Sequence, residues 1–194
     1  MTLDDLQPWL VVGLGNPGPK YADSPHNIGW RVIDELAERC SVRLSSAKRA
    51  KAEAAQARVD SHPVVLVKPT DFMNNSGGPT KALLHYYGTT VERLVVIHDE
   101  IDIPAHTLRL KFGGGDNGHN GLRSLRSSLG TGDFYRIRVG VGRPPGRQDP
   151  VDYLLRPMPA ALRIDMANTV ARAADAVEVL IDRGLAQAQN TYNS

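Results

Sequence analysis

The spacing of apolar residues along the chain predicts short strands that alternate with amphipathic helices. Continuous apolar runs, typical of the middle of a sheet that is covered on both faces, predict strands at 10–14, 63–68 and 94–98. Further strands are predicted at 52–59, 107–112 and 135–141. Apolar residues three and four positions apart predict helices at 28–40, 76–87 and 120–129. This alternation favours an α/β fold.

The last forty residues have a different pattern, which predicts one long amphipathic helix that ends at Gly184. Its apolar face consists of Leu162, Met166, Val170, Ala174, Val177 and Ile181. Neither a repeat nor a linker interrupts residues 1–194, so we expect a single α/β domain. The predicted architecture is a twisted mixed β-sheet flanked by helices, with a long C-terminal helix. The helical segment after Pro150 is a candidate lid.

Composition adds little to this picture. The hydrophobic fraction of 41% and the charged fraction of 23% are ordinary, and a net charge of +2 does not by itself indicate a nucleic-acid binder. The apolar run 9–14 is too short to cross a bilayer, and no signal peptide surrounds it, so we expect a cytoplasmic chain without a membrane segment. Cys40, the single cysteine, lies on the apolar face of a predicted helix and is expected to be a buried structural thiol.

The segment GLGNPG at 13–18 matches the G-x-G-x-x-G fingerprint of dinucleotide-binding proteins. That fingerprint works only where the glycines end a strand and open a helix whose N–H groups face the phosphates. Here Pro17 and Pro19 remove two backbone donors, and Pro25 delays the helix. We therefore expect these glycines to serve another purpose.

Polar residues cluster where the predicted strands end, which is where open α/β sheets bind ligands. Asn16, Asn74 and Asp99 each follow a strand, and His-Asn pairs stand at 26–27 and 119–120 beside helix starts. His26 is a candidate general base, since a helix N-terminus favours a neutral ring, whereas a carboxylate such as Asp99 stabilises the cation and fixes the tautomer. Each of these residues, taken alone, also fits a role in a turn or a helix cap.

Two other kinds of site find less support in the sequence. The acidic and histidine residues at 98–106 have no zinc-motif spacing, and neighbouring residues of a strand point to opposite faces. No G-x-S-x-G segment supplies a serine nucleophile. A water molecule is therefore the expected nucleophile.

Five ordered segments together resemble the bacterial peptidyl-tRNA hydrolase family. They span most of the chain before the C-terminal helix and are VVGLGNPGPKY with HNIGW (11–30), KPTDFMNNSG (68–77), VIHDEIDIP (96–104), KFGGGDNGHNGLRS (111–124) and YRIRVGVGRP (135–144). The resemblance implies hydrolysis of the ester that joins a peptide to the 3′ end of tRNA. It implies a peptidyl-tRNA partner, no cofactor and no metal, and we expect a monomer.

The resemblance also implies roles for individual residues. His26 is similar to the base that activates water, Asp99 to its supporting carboxylate, and Asn16 to the residue that distinguishes a blocked aminoacyl group from a free α-amine. Lys111, Arg138 and Arg143 are candidates for neutralising phosphates. Further substrate contacts, including stacking aromatics and oxyanion donors, are expected from Tyr21, Phe72, Met73, Asn74, Gly114, Gly115, His119 and Asn120.

The chain departs from the family pattern at Ser24-Pro25, Asp71 and Asp116, each of which removes or opposes positive charge near the expected RNA path. Two alternatives stay open at this point. One is a metal-assisted hydrolase of another N-blocked amino-acid derivative. The other is a non-catalytic RNA-binding module in which His26 and Asp99 lie apart.

Overall fold

A seven-stranded mixed sheet forms the centre of the chain in the computed structural model, which describes residues 7–193. The strands are β1 (Trp9–Gly13), β2 (Ser45–Ser46), β3 (Ala52–Val59), β4 (His62–Pro69), β5 (Leu94–Glu100), β6 (Leu108–Phe112) and β7 (Tyr135–Gly140). Their order is β2-β3-β4-β1-β5-β7-β6. Strands β4, β1, β5 and β7 run parallel, whereas β3 pairs antiparallel with β4 at one side and β6 antiparallel with β7 at the other.

Helices cover both faces of this sheet. They are α1 (Ile28–Arg39), α2 (Gly77–Tyr86), α3 (Asn120–Leu129), α4 (Pro150–Leu155), α5 (Ala160–Arg183) and α6 (Leu185–Tyr192). Side chains alternate along β1, so that Val11 packs on the α1 and α5 side while Leu10 and Val12 pack on the α2 and α3 side. The predicted α/β class, the mixed sheet and the long C-terminal helix are confirmed. Within the described residues, no helix combines the length and apolarity that a membrane crossing requires.

Some local predictions were wrong. Strands β5 and β1 differ from the predicted bounds, and β5 matters most because it continues through Asp99 to Glu100, pairing with β7, instead of ending at His98. The short elements β2 and α6 were not predicted, since their apolar patterns are too short to stand out. Cys40 is half-buried instead of buried, with its thiol donating to the Arg58 carbonyl over 3.5 Å.

The first two glycines of the fingerprint segment allow a close approach between elements. A Cβ at Gly13 would lie 2.2 Å from the Gly29 carbonyl oxygen, and a Cβ at Gly29 would lie 2.4 Å from the Ile97 carbonyl oxygen. A Cβ at Gly15 would meet the Trp30 ring at 2.7 Å. The first turn of α1 therefore packs directly on the ends of β1 and β5. This close approach brings the turn Pro25–Asn27, which precedes α1, next to the end of β5.

Candidate active site

A cavity of about 370 Å³ opens above the carboxyl ends of β1, β4 and β5. It brings together nine of the predicted site residues: Asn16, Tyr21, His26, Phe72, Met73, Asn74, Asp99, His119 and Asn120. The remaining lining residues were not predicted from the sequence, and they are Glu100, Ile101, Asn117, Gly118, Val151, Leu154 and Leu155. The last three belong to α4 and give this reaction cavity an apolar wall. The apolar residues of the segment after Pro150 were the available signal.

His26 and Asp99 lie in contact at the bottom of the reaction cavity, although 73 positions separate them. The His26 ring donates from Nδ1 to the Asp99 Oδ2 atom over 2.8 Å, because an ionised carboxylate only accepts. Burial alone would lower the pKa of His26, but the charge of Asp99 and the hydrogen bond outweigh it and raise that pKa. Burial would raise the pKa of Asp99, yet the charges and hydrogen bonds of His26 and His119 hold it far below its usual range. The ring therefore presents Nε2 as its free basic atom.

Asn16 is fixed by three hydrogen bonds. Its backbone N–H donates to the Asn27 side-chain oxygen over 2.8 Å, and the Asn27 amide nitrogen donates to the Asn16 carbonyl over 2.9 Å. Its own side-chain oxygen accepts from the Met73 N–H over 2.7 Å. Asn27 stands at the N-cap position of α1, but its side chain makes no capping hydrogen bond and holds Asn16 instead. The Asn16 amide NH₂ is thus the end that remains for a ligand.

His119 bridges α3 and Asp99. Its Nδ1 atom accepts from the N–H groups of Gly121 and Leu122, over 3.1 and 3.3 Å, and so caps α3. Because Nδ1 is an acceptor, the proton of the neutral ring resides on Nε2, which donates to the Asp99 Oδ1 atom over 2.9 Å. We expected His119 only as a substrate contact. The structure adds that it occupies the second oxygen of the Asp99 carboxylate.

The group formed by His26, Asp99 and His119 has the residue types of a metal site, with ligand atoms within 4.8 Å of one another. A metal would need the lone pair of His119 Nε2, which would put the ring proton on Nδ1. That proton would face the two N–H groups that Nδ1 now caps. The donor set therefore suits a hydrogen-bonded triad better than a metal ligand set.

The residues of the 98–106 segment diverge, as its spacing suggested. His98 is fully buried, donates to the Asp99 carbonyl over 2.8 Å, and has its pKa lowered by burial and by His119 to about 3. Asp102 pairs with Arg143, and His106 bonds to Thr169. Arg143, expected on phosphates, lies exposed in this ion pair and does not line the reaction cavity.

A second cavity of about 400 Å³ lies beside the first, towards β7 and β6. Its lining includes three basic side chains, and it shares two residues with the reaction cavity: Glu100 and Asn117. Of the predicted substrate contacts, Lys111, Gly115 and Arg138 line this basic cavity and not the reaction cavity.

The glycine run was expected to supply oxyanion donors near the base, and this expectation was wrong. Gly114 and Gly115 do not line the reaction cavity, and their carbonyls accept from the buried Arg136 side chain. The carbonyl groups of Gly114 and Gly115 therefore bind a side chain of the basic cavity.

The three departures from the family pattern are compensated locally. The Ser24 hydroxyl donates to the Tyr21 carbonyl over 2.8 Å inside the turn that leads to His26. Asp71 accepts from the Phe72 N–H over 2.8 Å, and Lys51 lies 3.7 Å away. Asp116 accepts from the Gly118 N–H and pairs with Arg126 and Arg123 at 3.3 and 3.8 Å. Ser24, Pro25, Asp71 and Asp116 do not themselves line the reaction cavity.

Replacement of His119 by Asn tests its hold on Asp99. Asn is a good helix cap but is too short to reach Asp99, so the carboxylate would keep its full charge for His26. We expect the acidic limb of the pH profile of kcat/KM to move to higher pH, because a stronger negative partner retains the His26 proton longer. We also expect a rate loss of about tenfold near neutral pH, the effect of one hydrogen bond.

The matched control is His62→Asn, which removes a half-exposed histidine 3.4 Å from Asp182 on another part of the surface. Profiles of kcat/KM against pH for both variants decide the matter. An unchanged acidic limb in His119→Asn would show that His119 does not tune the His26–Asp99 pair.

Comparisons with known proteins agree with this geometry. The family model described as peptidyl-tRNA hydrolase matches residues 10–194. A peptidyl-tRNA hydrolase of Frankia alni is 53% identical over 98% of this chain and 96% of its own length, and one of Streptomyces coelicolor is 49% identical over 100% and 99%. The crystal structure of the Acinetobacter baumannii peptidyl-tRNA hydrolase superposes with a TM-score of 0.90, 31% identity, and coverage of 97% and 96%. The chain therefore belongs to the peptidyl-tRNA hydrolase family.

Proposed function

We propose that His26 is the general base with which this chain hydrolyses the ester of peptidyl-tRNA. The observation that carries this proposal is the 2.8 Å hydrogen bond between His26 Nδ1 and Asp99 at the bottom of the reaction cavity. It leaves Nε2, on the opposite edge of the ring, as the acceptor of a proton from water. The raised pKa makes the ring a stronger base than an isolated imidazole.

The reaction proceeds in two steps. His26 Nε2 takes a proton from water while the water oxygen bonds to the ester carbonyl carbon, which gives a tetrahedral oxyanion. The carbon–oxygen bond to the tRNA ribose then breaks, and the imidazolium returns its proton to the departing ribose oxygen. The products are the peptide acid and a tRNA with a free 3′-terminal hydroxyl. Asp99 stabilises the imidazolium between the two steps.

The side-chain amides around the reaction cavity are the candidates for contact with the ester and its oxyanion. Asn74 and Asn120 are exposed and line the same cavity as His26. A neutral amide donor suits an oxyanion because it stabilises the charge that develops in the transition state. We assign Asn16 to the acyl side, where its fixed NH₂ group donates to the carbonyl of a blocked α-amine.

The RNA and the peptide fit different walls of the site. Tyr21 and the 56%-exposed Phe72 offer rings for stacking on unpaired bases at the rim of the reaction cavity. In the basic cavity, burial and the charges of Arg138 and Arg136 lower the pKa of Lys111. Repulsion between like charges of this kind is expected in a site that binds an anion. A phosphate of the tRNA would relieve that repulsion.

The apolar wall of α4 suits the peptide. Val151 is 61% exposed although it lines the reaction cavity, and Leu154 and Leu155 extend the wall. The described site needs no residue from a second chain, which supports action as a monomer, and the tRNA substrate supports a cytoplasmic location. Closure of α4 as a lid stays a prediction.

Replacement of Asn16 by Asp tests the acyl-recognition role with almost no change of shape. The new carboxylate keeps an oxygen for the Met73 N–H but replaces the NH₂ donor by a second acceptor. It would repel the carbonyl of an N-acetyl group and attract the ammonium of a free aminoacyl group. We expect kcat/KM for N-acetyl-aminoacyl-tRNA to fall about 10- to 100-fold, while the preference over the free-amine substrate shrinks.

The two esters are compared by release of labelled amino acid. The matched control is Asn190→Asp, which adds the same charge at an exposed position of α6. If Asn16→Asp slowed both substrates equally, the residue would serve the chemistry in general and not the recognition of the blocked amine.

A further inference from the structure

Arg136 is the largest side chain that the fold buries completely, with 1% of its surface exposed. It lies on β7 between β5 and β6, where its register partners are Val96 and Lys111. Among residues 7–193 no carboxylate pairs with it at salt-bridge distance. A buried charge without an ionic partner is costly unless hydrogen bonds compensate it, so the position calls for a reason.

Three backbone carbonyls supply that compensation. The guanidinium donates to the Gly115 carbonyl, to the Gly114 carbonyl over 2.7 Å and to the Gly132 carbonyl over 2.9 Å. It also packs on the Phe134 ring at 4.6 Å from the ring centre. A planar group with five donors can serve several carbonyls at once, which the point charge of a lysine cannot do equally well.

The glycines around this side chain are required by the same arrangement. Gly114 has a φ of +110°, and a Cβ there would lie 2.7 Å from the Lys111 ammonium nitrogen. A Cβ at Gly132 would lie 2.7 Å from the Gly114 carbonyl oxygen. The loop therefore wraps closely around the guanidinium, and Gly114 has the Lys111 ammonium group beside it.

The loop that Arg136 holds connects the two cavities. From Gly114 and Gly115 it continues to Asn117, whose amide donates to Glu100 and Asp102 over 2.8 and 2.9 Å. It then reaches His119, which donates to Asp99. A shift of the loop near Arg136 would thus change the positions of both Lys111 in the basic cavity and His119 in the reaction cavity.

We propose that Arg136 is a positioning residue that fixes the 113–119 loop. It thereby fixes the position of the basic cavity relative to the His26–Asp99 pair. The proposal rests on the functions proposed above for the two cavities. Arg136 touches no reacting atom. Its effect passes through the loop carbonyls to the residues on either side, so that a tRNA held in one cavity presents its ester correctly in the other.

The test compares Arg136→Lys and Arg136→Met with the unmodified chain. Each is assayed on N-acetyl-aminoacyl-tRNA and on a short oligonucleotide with the same ester, which fills the reaction cavity without reaching the basic one. We expect kcat to fall on both substrates, by about 100-fold for Met, as for a misplacement of roughly 1 Å, and less for Lys. We expect KM to rise only for the tRNA substrate.

The pH profile supplies a readout that loss of stability alone would not move. If the loop loosens, His119 releases Asp99, and the acidic limb of kcat/KM should move to higher pH, as in His119→Asn. Val177→Ala, a fully buried change on the other face of the sheet, is the control for lowered Tm. All assays are run well below the Tm of each variant, and Arg136→Lys decides alone if the Met variant does not fold.

Unchanged kcat and pH profile in a folded variant would overturn the proposal, as would a rise of KM without any fall in kcat, which would confine Arg136 to the basic cavity. Failure of the unmodified chain to release the N-acetyl-aminoacyl group would instead refute the proposed function. The two failures are therefore distinguishable.

Discussion

His26→Ala is expected to reduce kcat for N-acetyl-aminoacyl-tRNA by about 10²- to 10⁴-fold, the usual contribution of a positioned general base. The methyl group cannot accept the proton of water, and the described residues offer no free ring nitrogen in its place. The ring centre of His119 lies 4.9 Å from that of His26, but both of its nitrogens are already hydrogen-bonded. Binding of tRNA should persist, since the stacking and phosphate contacts proposed above lie elsewhere.

Single-turnover release and a separate Kd for deacylated tRNA measure the two effects. His85→Ala, an exposed change on α2, is the matched control. Each assay is repeated with a chelator present. A rate that the chelator abolishes and zinc restores would favour the metal-assisted alternative, and turnover that survives His26→Ala would remove the base from the mechanism.

The central strands could be predicted from the sequence because their physical signal is local. The continuous apolar runs of β1, β4 and β5 reflect burial on both faces, and polar residues after such runs mark the binding edge of a sheet. Asp99 shows the limit of this reasoning. It belongs to β5 instead of following it. The pairing of β5 with β7 continues through Asp99 and Glu100, although their polarity predicts that the strand has ended.

The supports of the site could not be predicted because they depend on contacts between distant positions. Asn27 looks like a helix cap until the loop of Asn16 folds onto it. Arg136 looks like an exposed alternating residue of a strand until the glycine loop covers it. In both cases the side chain forms hydrogen bonds with backbone groups of a distant loop. Which backbone groups need such a partner can be seen only in the folded structure.

The glycines of the segment 13–18 also have a role that depends on distant contacts. From the sequence alone, a sharp turn that presents Asn16 would explain these glycines. The structure gives φ a positive value only at Gly18, whereas Gly13 and Gly15 permit close packing of α1. The turn explanation therefore fits Gly18, whereas Gly13 and Gly15 are required by packing between elements.

Asp99→Asn is expected to cost about as much as loss of the base, roughly 10²- to 10⁴-fold in kcat, by placing the His26 proton on the wrong nitrogen. The substituted amide has one oxygen and one NH₂ group, but two rings now donate to this side chain. His119 cannot change its tautomer, since its Nδ1 caps α3, so it keeps the oxygen. His26 then faces the NH₂ group, accepts through Nδ1 and carries its proton on Nε2.

The pH profile and a double variant test this account. Without the Asp99 charge the pKa of His26 falls, so the acidic limb of the remaining activity should move to lower pH, opposite to the shift expected for His119→Asn. Adding His119→Asn to Asp99→Asn removes the competing donor, and the amide can then turn its oxygen to His26 Nδ1. The double variant should therefore regain part of the lost rate. A double variant slower than Asp99→Asn alone would show that the charge of Asp99, and not the tautomer it imposes, is what His26 requires.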